Sequence, residues 1–320
     1  PAGEEGLGSG GRATAAVVVL MAVLWMTEAM PLPATALIPV ALFPVLGILP
    51  IDETARAYAN EVVFLFLGGF LIGKAMERWG LHRRIALLIL TVAGATPGRL
   101  VAGVMVATAF LSMWISNTAT VVMMFPIALS VLRAAEAGER RPPATFPVCL
   151  MLALAYAASI GSVGTIIGTP PNLLLRAFAE ERYGVEIGFA QWMLVGVPLV
   201  LALLPLAWLV LTRAYPPGTG ALGARDAIAA ERRDLGRMSR GEIVVLAVFA
   251  ATASAWVLRE PLAGWERLAE LAPWIEDVSD AGIAMTGALV LFAFPVHPRR
   301  GEFALNWEAA RDLPWGVLIL

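Results

Sequence analysis

The chain has 320 residues, is 59% hydrophobic and 15% charged, and has a mean hydropathy of +0.76. Soluble domains run about 45–50% apolar and about 25% charged, so this composition excludes an ordinary soluble fold and predicts an all-α polytopic membrane protein. A net charge of −2 excludes a basic surface for nucleic acid, and a lone cysteine, Cys149, excludes a disulfide framework or a multi-cysteine metal centre.

Residues 1–12 are glycine-rich and polar, without the basic start of a signal peptide. Residues 13–27 predict a first span, ending at Thr27-Glu28-Ala29-Met30-Pro31, where Glu28 reads as an interfacial carboxylate. Residues 32–49 predict a second span despite Pro33, Pro39 and Pro44, which neighbouring helices make tolerable in a membrane. A polar connector at 50–60 leads to a third span at 61–77, whose Gly68, Gly69 and Gly73 allow close helix packing. Basic residues follow (Lys74, Arg78, Arg83, Arg84), then an apolar stretch that Thr96-Pro97-Gly98 breaks.

Residues 99–133 contain the most informative stretch. Val101 to Leu132 holds no charged residue, yet its middle reads Ser112-Met-Trp-Ile-Ser116-Asn117-Thr118-Ala-Thr120. Polar groups in hydrocarbon must be satisfied internally, so these side chains face protein, water or a bound solute. Such clusters also glue helices together, and a lone Ser or Thr would bond back to its own helix. Three consecutive polar residues with Ser112 one turn earlier predict instead the tip of a re-entrant hairpin.

Residues 146–167 are apolar and break at Ile167-Gly168-Thr169-Pro170-Pro171-Asn172, because two prolines and a glycine cannot continue a helix. The carbonyls freed at Ile167 and Gly168 are expected to lack intrahelical partners and to be open to a cation or water. Asn172 is expected to cap the short helix 173–182, with substrate contact the other reading. Further spans are predicted at 190–212, 243–258 and 282–296. A polar, helix-prone segment with six arginines occupies 213–241, and an acidic one with Glu260, Glu266, Glu270, Glu276, Asp277 and Asp280 precedes the last span. His82 and His297 lie beside arginine pairs, where solvation accounts for them.

Short basic loops stay cytoplasmic, which places 74–84, 133–141, 213–240 and 299–300 inside and makes 85–132 enter and return. Pro50-Ile-Asp-Glu-Thr-Ala-Arg56 and Asn306-Trp-Glu-Ala-Ala-Arg311 each precede an apolar run, a faint repeat of opposite orientation. Inverted repeats of this kind build many secondary transporters, with the site at mid-membrane. The second copy ends at Leu320, inside a predicted helix, so the chain is expected to be a truncated fragment.

Helix N-termini at two such breaks attract an anion, while neutral carbonyl, amide and hydroxyl oxygens suit Na⁺. Residues 100–132 and 142–179 hold no Asp, Glu or His to relay a proton, which favours sodium over proton coupling. The anion is expected to be held by dipoles, hydroxyls and the nearby sodium, without an ion pair to Arg or Lys. Metalloprotease and serine-hydrolase motifs are absent from the sequence, so the protein is not expected to be an enzyme.

The Ser112–Thr120 stretch resembles the Ser-Asn-Thr signature of the divalent anion/sodium symporter family of dicarboxylate, citrate and sulfate carriers. Ile167–Asn172 resembles its second motif, and Thr27–Pro31 with Thr35-Ala36-Leu37 resembles its early helix. The resemblance covers nearly the whole chain and about the first two-thirds of a member. It implies a sodium-coupled elevator transporter of di- or tricarboxylates, homodimeric, multi-pass in the inner (cytoplasmic) membrane. The implied division is scaffold helices at 1–97, hairpin and broken helix at 98–182, a transport helix with cytoplasmic arm at 183–241, and scaffold helices of the second repeat at 242–320. By the same resemblance Ser112, Ser116, Asn117 and the Gly168 backbone hold sodium, and Ser116, Asn117, Thr118, Thr169 and Pro170 lie at the substrate carboxylate. The family's second Ser-Asn-Thr motif and a helix before residue 13 are missing from the match. A sodium-independent anion exchanger of the same fold and a non-transporting membrane scaffold are the alternatives.

Overall fold

A computed structural model describes residues 8–94, 96–137, 142–219, 224–264, 272–275 and 277–319. The acidic residues Glu266, Glu270 and Glu276 and the basic loop at 138–141 lie outside the described residues.

The described chain is almost entirely helical. Helix α1 (Ser9–Thr27) is apolar on all sides and buries only Val17, as expected of a helix facing lipid. It ends at Glu28, which takes a left-handed conformation (φ 52°) and is exposed. The second expected span is two short helices, α2 (Leu32–Ala36) and α3 (Ile38–Val45), parted at Leu37. Pro39 has no N–H to continue the ladder across that point, which is the reason for the division. The expected connector is also helical: α4 (Ile51–Arg56) and one 3₁₀ turn precede α5 (Glu61–Arg78), which Asn60 caps by accepting from the Val62 N–H at 3.0 Å.

Helices α6 (Leu81–Ala93), α7 (Pro97–Ser112), α8 (Asn117–Ala137) and α9 (Thr145–Gly161) follow. After a broken segment come α10 (Pro170–Tyr183) and the long α11 (Phe189–Ala214). The arginine-rich segment holds α12 (Ala224–Asp234), and α13 (Arg240–Ala263) starts with a reciprocal cap between Ser239 and Glu242. Helix α14 (Asp280–Ala293) leads to two short strands, β1 (Pro295–His297) and β2 (Glu302–Phe303), paired antiparallel. This hairpin corrects the expectation of a purely helical chain: Pro298 starts a tight turn that folds the apolar strand ends back. Helices α15 (Trp307–Arg311) and α16 (Trp315–Ile319) complete the described residues.

Two apolar cores organise these elements. The first joins α6, the shafts of α7 and α8, α9, the end of α11 at Leu211, and Ile228 of α12. The second is built on α5 and α14, which cross closely because Gly68 lacks a side chain; a Cβ there would come within 2.6 Å of the Ala284 backbone. It also takes α13, the strand hairpin, and Trp114, Ile115, Ile166 and Ile167. The shafts of the α7–α8 hairpin therefore belong to one core and its tip to the other. Six helical stretches among the described residues are long and apolar enough to cross a membrane, counting α4 with α5 as one.

Candidate functional site

The hairpin tip is the four-residue turn Met113–Ser116 between α7 and α8. Its backbone is pinned by the Trp114 and Ile115 N–H groups, both donating to the Leu111 carbonyl at 3.0 Å. Ser116 begins α8: its hydroxyl accepts from the Ala119 N–H at 3.4 Å and its carbonyl from the Thr120 N–H at 2.9 Å.

Ser112, fully buried, faces two acceptors. Its Oγ lies 2.6 Å from Asn117 Oδ1 and 2.7 Å from the carbonyl of Ala158 on α9. One hydroxyl proton can serve only one of them. Ala158 reaches this point because α7 and α9 cross at Gly161, where a Cβ would overlap the Ala109 backbone. The crossing lies one turn from both Ser112 and Ala158, so small residues bring a main-chain oxygen to the tip.

The broken segment begins earlier than its prolines. Helix α9 ends at Gly161, two 3₁₀ turns (Ser162–Gly164 and Ile166–Gly168) follow, and Thr165 and Thr169 are extended, with φ of −132° and −156°. Thr165 is buried and its hydroxyl donates to the Met113 carbonyl, fastening the break to the hairpin tip. Asn172, in the first turn of α10, directs its amide back into the break and donates to the Ser162 and Thr165 carbonyls, each at 2.8 Å. Trp192 of α11 donates to the Val163 carbonyl at 2.9 Å. This corrects one expectation: Asn172 is a strut across the break, while the helix-capping position is Thr169. Besides the Ile167 and Gly168 carbonyls singled out in the sequence, the break includes those of Ser162, Val163 and Thr165, to which side chains of α10 and α11 donate, since buried carbonyls need donors.

The expected site residues are distributed unevenly. Ser112 and Asn117 are in direct contact. Gly168 is buried with its Cα against the Ser162 carbonyl, where no side chain would fit. Ser116 lines a cavity of about 30 Å³ with Lys74, Glu77 and Phe70 of α5 and with Leu313 and Pro314. Thr169 is half-buried, and Thr118 and Pro170 are exposed. The Lys74–Glu77 ion pair (2.8 Å) beside Ser116 departs from the expectation that no cation lines the site. Nothing in the sequence spacing could reveal it, because α5 and the tip are forty residues apart in order and meet only in three dimensions.

Beyond the tip an aromatic stack leads to a buried ionic centre. Trp114 lies over Phe189 and Trp256, with ring centres 6.2 and 6.5 Å away, and Phe189 stacks on Trp256 at 4.4 Å. Trp256 donates to the Asp280 carbonyl at 2.9 Å, and the Phe189 N–H donates to the Asp280 carboxylate at 3.1 Å. Arg259 of α13 (3.2 Å) and Arg176 of α10 (3.7 Å) neutralise that carboxylate. One acid thus joins α10, α11, α13 and α14.

Several apolar helices around a hairpin and a broken helix, whose tips meet through polar contacts, define a multi-pass membrane protein. The family model described as citrate transporter, CitMHS, matches residues 22–320, and the chain belongs to that family. It is 41% identical over 315 residues to the sodium-dependent dicarboxylate transporter SdcS of Staphylococcus saprophyticus. It is 40% identical over 320 residues to the protein of the same name in Staphylococcus aureus strain USA300. In each case 95% of this chain is covered but 59% of the relative, so the chain spans about three-fifths of the length of the curated relatives it matches.

Proposed function

We propose that the protein is a sodium-coupled carrier of a di- or tricarboxylate, and that Ser112, Ser116, Asn117 and the Gly168 backbone hold the sodium. The observation that carries this reading is the Ser112 hydroxyl between two acceptor oxygens with one proton to share. A small hard cation is a ligand that such a buried set of neutral oxygens, the Ser112 hydroxyl, the Asn117 amide oxygen and the Ala158 carbonyl, can coordinate. Ala158, whose carbonyl the sequence did not suggest, joins the candidate donors.

The anion is placed beside it, at Ser116, Asn117, Thr118, Thr169 and Pro170. The N-terminus of α8 starts there, and its positive dipole end favours negative charge; α10 adds only its dipole, because Pro170 and Pro171 have no N–H and the Asn172 N–H donates to the Thr169 carbonyl at 3.1 Å. Lys74 adds a cation on the α5 side.

An elevator-type movement is proposed from the family resemblance alone, since the second core holds the hairpin tip and the break together with α5, α13 and α14. In this reading the hairpin, the break, α10 and α11 (98–182 and 183–241) move against α5, α13 and α14, within 1–97 and 242–320, in an inverted repeat. A homodimer in the inner membrane, with the basic loops cytoplasmic, completes the proposal.

The test is uptake into proteoliposomes. Radiolabelled succinate, malate, citrate and sulfate are offered with an inward sodium gradient or an equal potassium gradient. Accumulation of a carboxylate with sodium alone is expected. Counterflow that proceeds equally in potassium would replace symport by sodium-independent exchange.

A further inference from the structure

A second cavity, of about 750 Å³, lies away from the hairpin tip among the end of α6, the start of α7 and α12. Its walls combine two kinds of surface. Leu90 and Ile228 are apolar and packed into the first core, while the exposed Arg99, Arg232 and Arg233 border the same space, Arg233 donating from Nε to the Ala229 carbonyl at 3.3 Å. Among the residues whose side chains are described, no carboxylate lies within ion-pair distance of these three arginines. Of the two acids that flank Arg232 and Arg233 in sequence, Glu231 is engaged by Arg83 at 3.2 Å, and Asp234 forms no ion pair with either arginine.

The neighbouring arginines behave differently. Arg84 is bound by Glu242 at 2.6 Å and donates to the Gly236, Leu235 and Arg237 carbonyls at 3.1, 3.3 and 3.4 Å. Arg83 and Arg84 thereby tie the C-terminal end of α12 to α6 and α13. That anchoring, with Ile228 buried in the core, fixes α12 so that Arg232 and Arg233 border the cavity.

The depth of the cavity in a bilayer follows from Trp208. This α11 tryptophan donates to the Gly98 carbonyl at 2.9 Å, in the first turn of α7 and next to Arg99. Tryptophan and arginine together with apolar wall residues mark the boundary between headgroups and acyl chains.

We propose that this cavity binds an anionic phospholipid, its phosphate held by Arg99, Arg232 and Arg233 and its first acyl carbons lying on Leu90 and Ile228. The volume suits a headgroup with the start of a chain, as ligand cavities run roughly 300–1,000 Å³. Guanidinium groups pair with phosphate oxygens two at a time, and basic pockets between helices at the membrane surface recognise such headgroups. An occupant of this kind fastens α12 against α6 and the start of α7 at the interface.

The test uses the protein in phosphatidylcholine nanodiscs with or without phosphatidylglycerol, followed by native mass spectrometry of lipid retained after release. Phosphatidylglycerol is expected to stay bound to the wild type, and phosphatidylcholine to be stripped. Arg232→Gln with Arg233→Gln is expected to lower retention by about tenfold or more, since each interfacial arginine contributes measurably to binding anionic lipid. Arg232→Lys with Arg233→Lys, which keeps the charge, is expected to retain most of it, and Arg182→Gln on exposed α10 to retain all of it. Equal retention in the glutamine variant, equal retention of the two lipids, or an equal loss in Arg182→Gln would each overturn the proposal. Thermal stabilisation by inorganic phosphate but not by phosphatidylglycerol would assign the cavity to a soluble anion and overturn the lipid.

Discussion

Arg176, two turns into α10, lies 3.7 Å from the carboxylate of Asp280, the first residue of α14, and both are buried. The pair connects the broken segment, through α10, to a helix of the other core. Arg259 shares the same carboxylate at 3.2 Å. Asp280→Ala would strand the buried Arg176 guanidinium and take from the partly exposed Arg259 its carboxylate partner, and removal of one partner of a buried pair costs about 3–5 kcal/mol. The expected result is a large fall in the detergent-solubilised thermal midpoint. A midpoint within a degree or so of wild type would mean that water reaches these arginines.

Asn172 supplies hydrogen bonds to the Ser162 and Thr165 carbonyls in the break, the second of which also accepts from the Gly168 N–H at 3.3 Å. Asn172→Ala is expected to destabilise by roughly 1–3 kcal/mol, because it removes two buried hydrogen bonds at about 0.5–1.5 kcal/mol each. Asn172→Asp should be worse, because a carboxylate would point its oxygens at two carbonyls. Comparison of unfolding in the two variants decides whether the amide acts as a donor, and an aspartate as stable as wild type would exclude that role.

Ser112 and Asn117 carry the sodium reading. Ser112→Ala and Asn117→Ala are each expected to leave the protein folded and to abolish the stabilisation that sodium chloride gives over potassium chloride. The measurement is the midpoint of thermal unfolding in the two salts. A sodium-specific increase of wild-type size in both variants would remove these two side chains from the cation site.

Gly161 positions the Ala158 carbonyl by letting α7 and α9 touch. Gly161→Ala puts a methyl group into the Ala109 backbone, which cannot rotate away as a side chain would. Overpacking of this kind costs about 1–3 kcal/mol or more. The variant should lose both stability and sodium response, whereas Gly10→Ala on exposed α1, where a Cβ meets nothing, should lose neither.

Orientation in the membrane can be read with a single new thiol. Cys149 is the one cysteine and is fully buried, so a membrane-impermeant maleimide will report an added cysteine on an accessible surface. Arg237→Cys, in the exposed turn after α12, is expected to react only from the cytoplasmic side. Reaction only from outside would invert the topology.

The polar knot Ser112–Thr120 and the Gly168–Pro171 run were legible without coordinates, because hydroxyls and prolines inside an uncharged run conflict with a continuous membrane helix. The sequence by itself also determined the class of protein and, to within a few residues, most long helices. It could not say which groups answer the unwound backbone. Asn172, Trp192 and the Ala158 carbonyl do so from positions set by helix crossings. The burial of Asp280 against Arg176 and Arg259, and the opening of Arg99, Arg232 and Arg233 onto one cavity, were likewise decided by tertiary structure. Periodicity and breaker residues act over one or two turns of chain, whereas the pairing of distant polar groups follows from which helices can approach closely enough to exclude water.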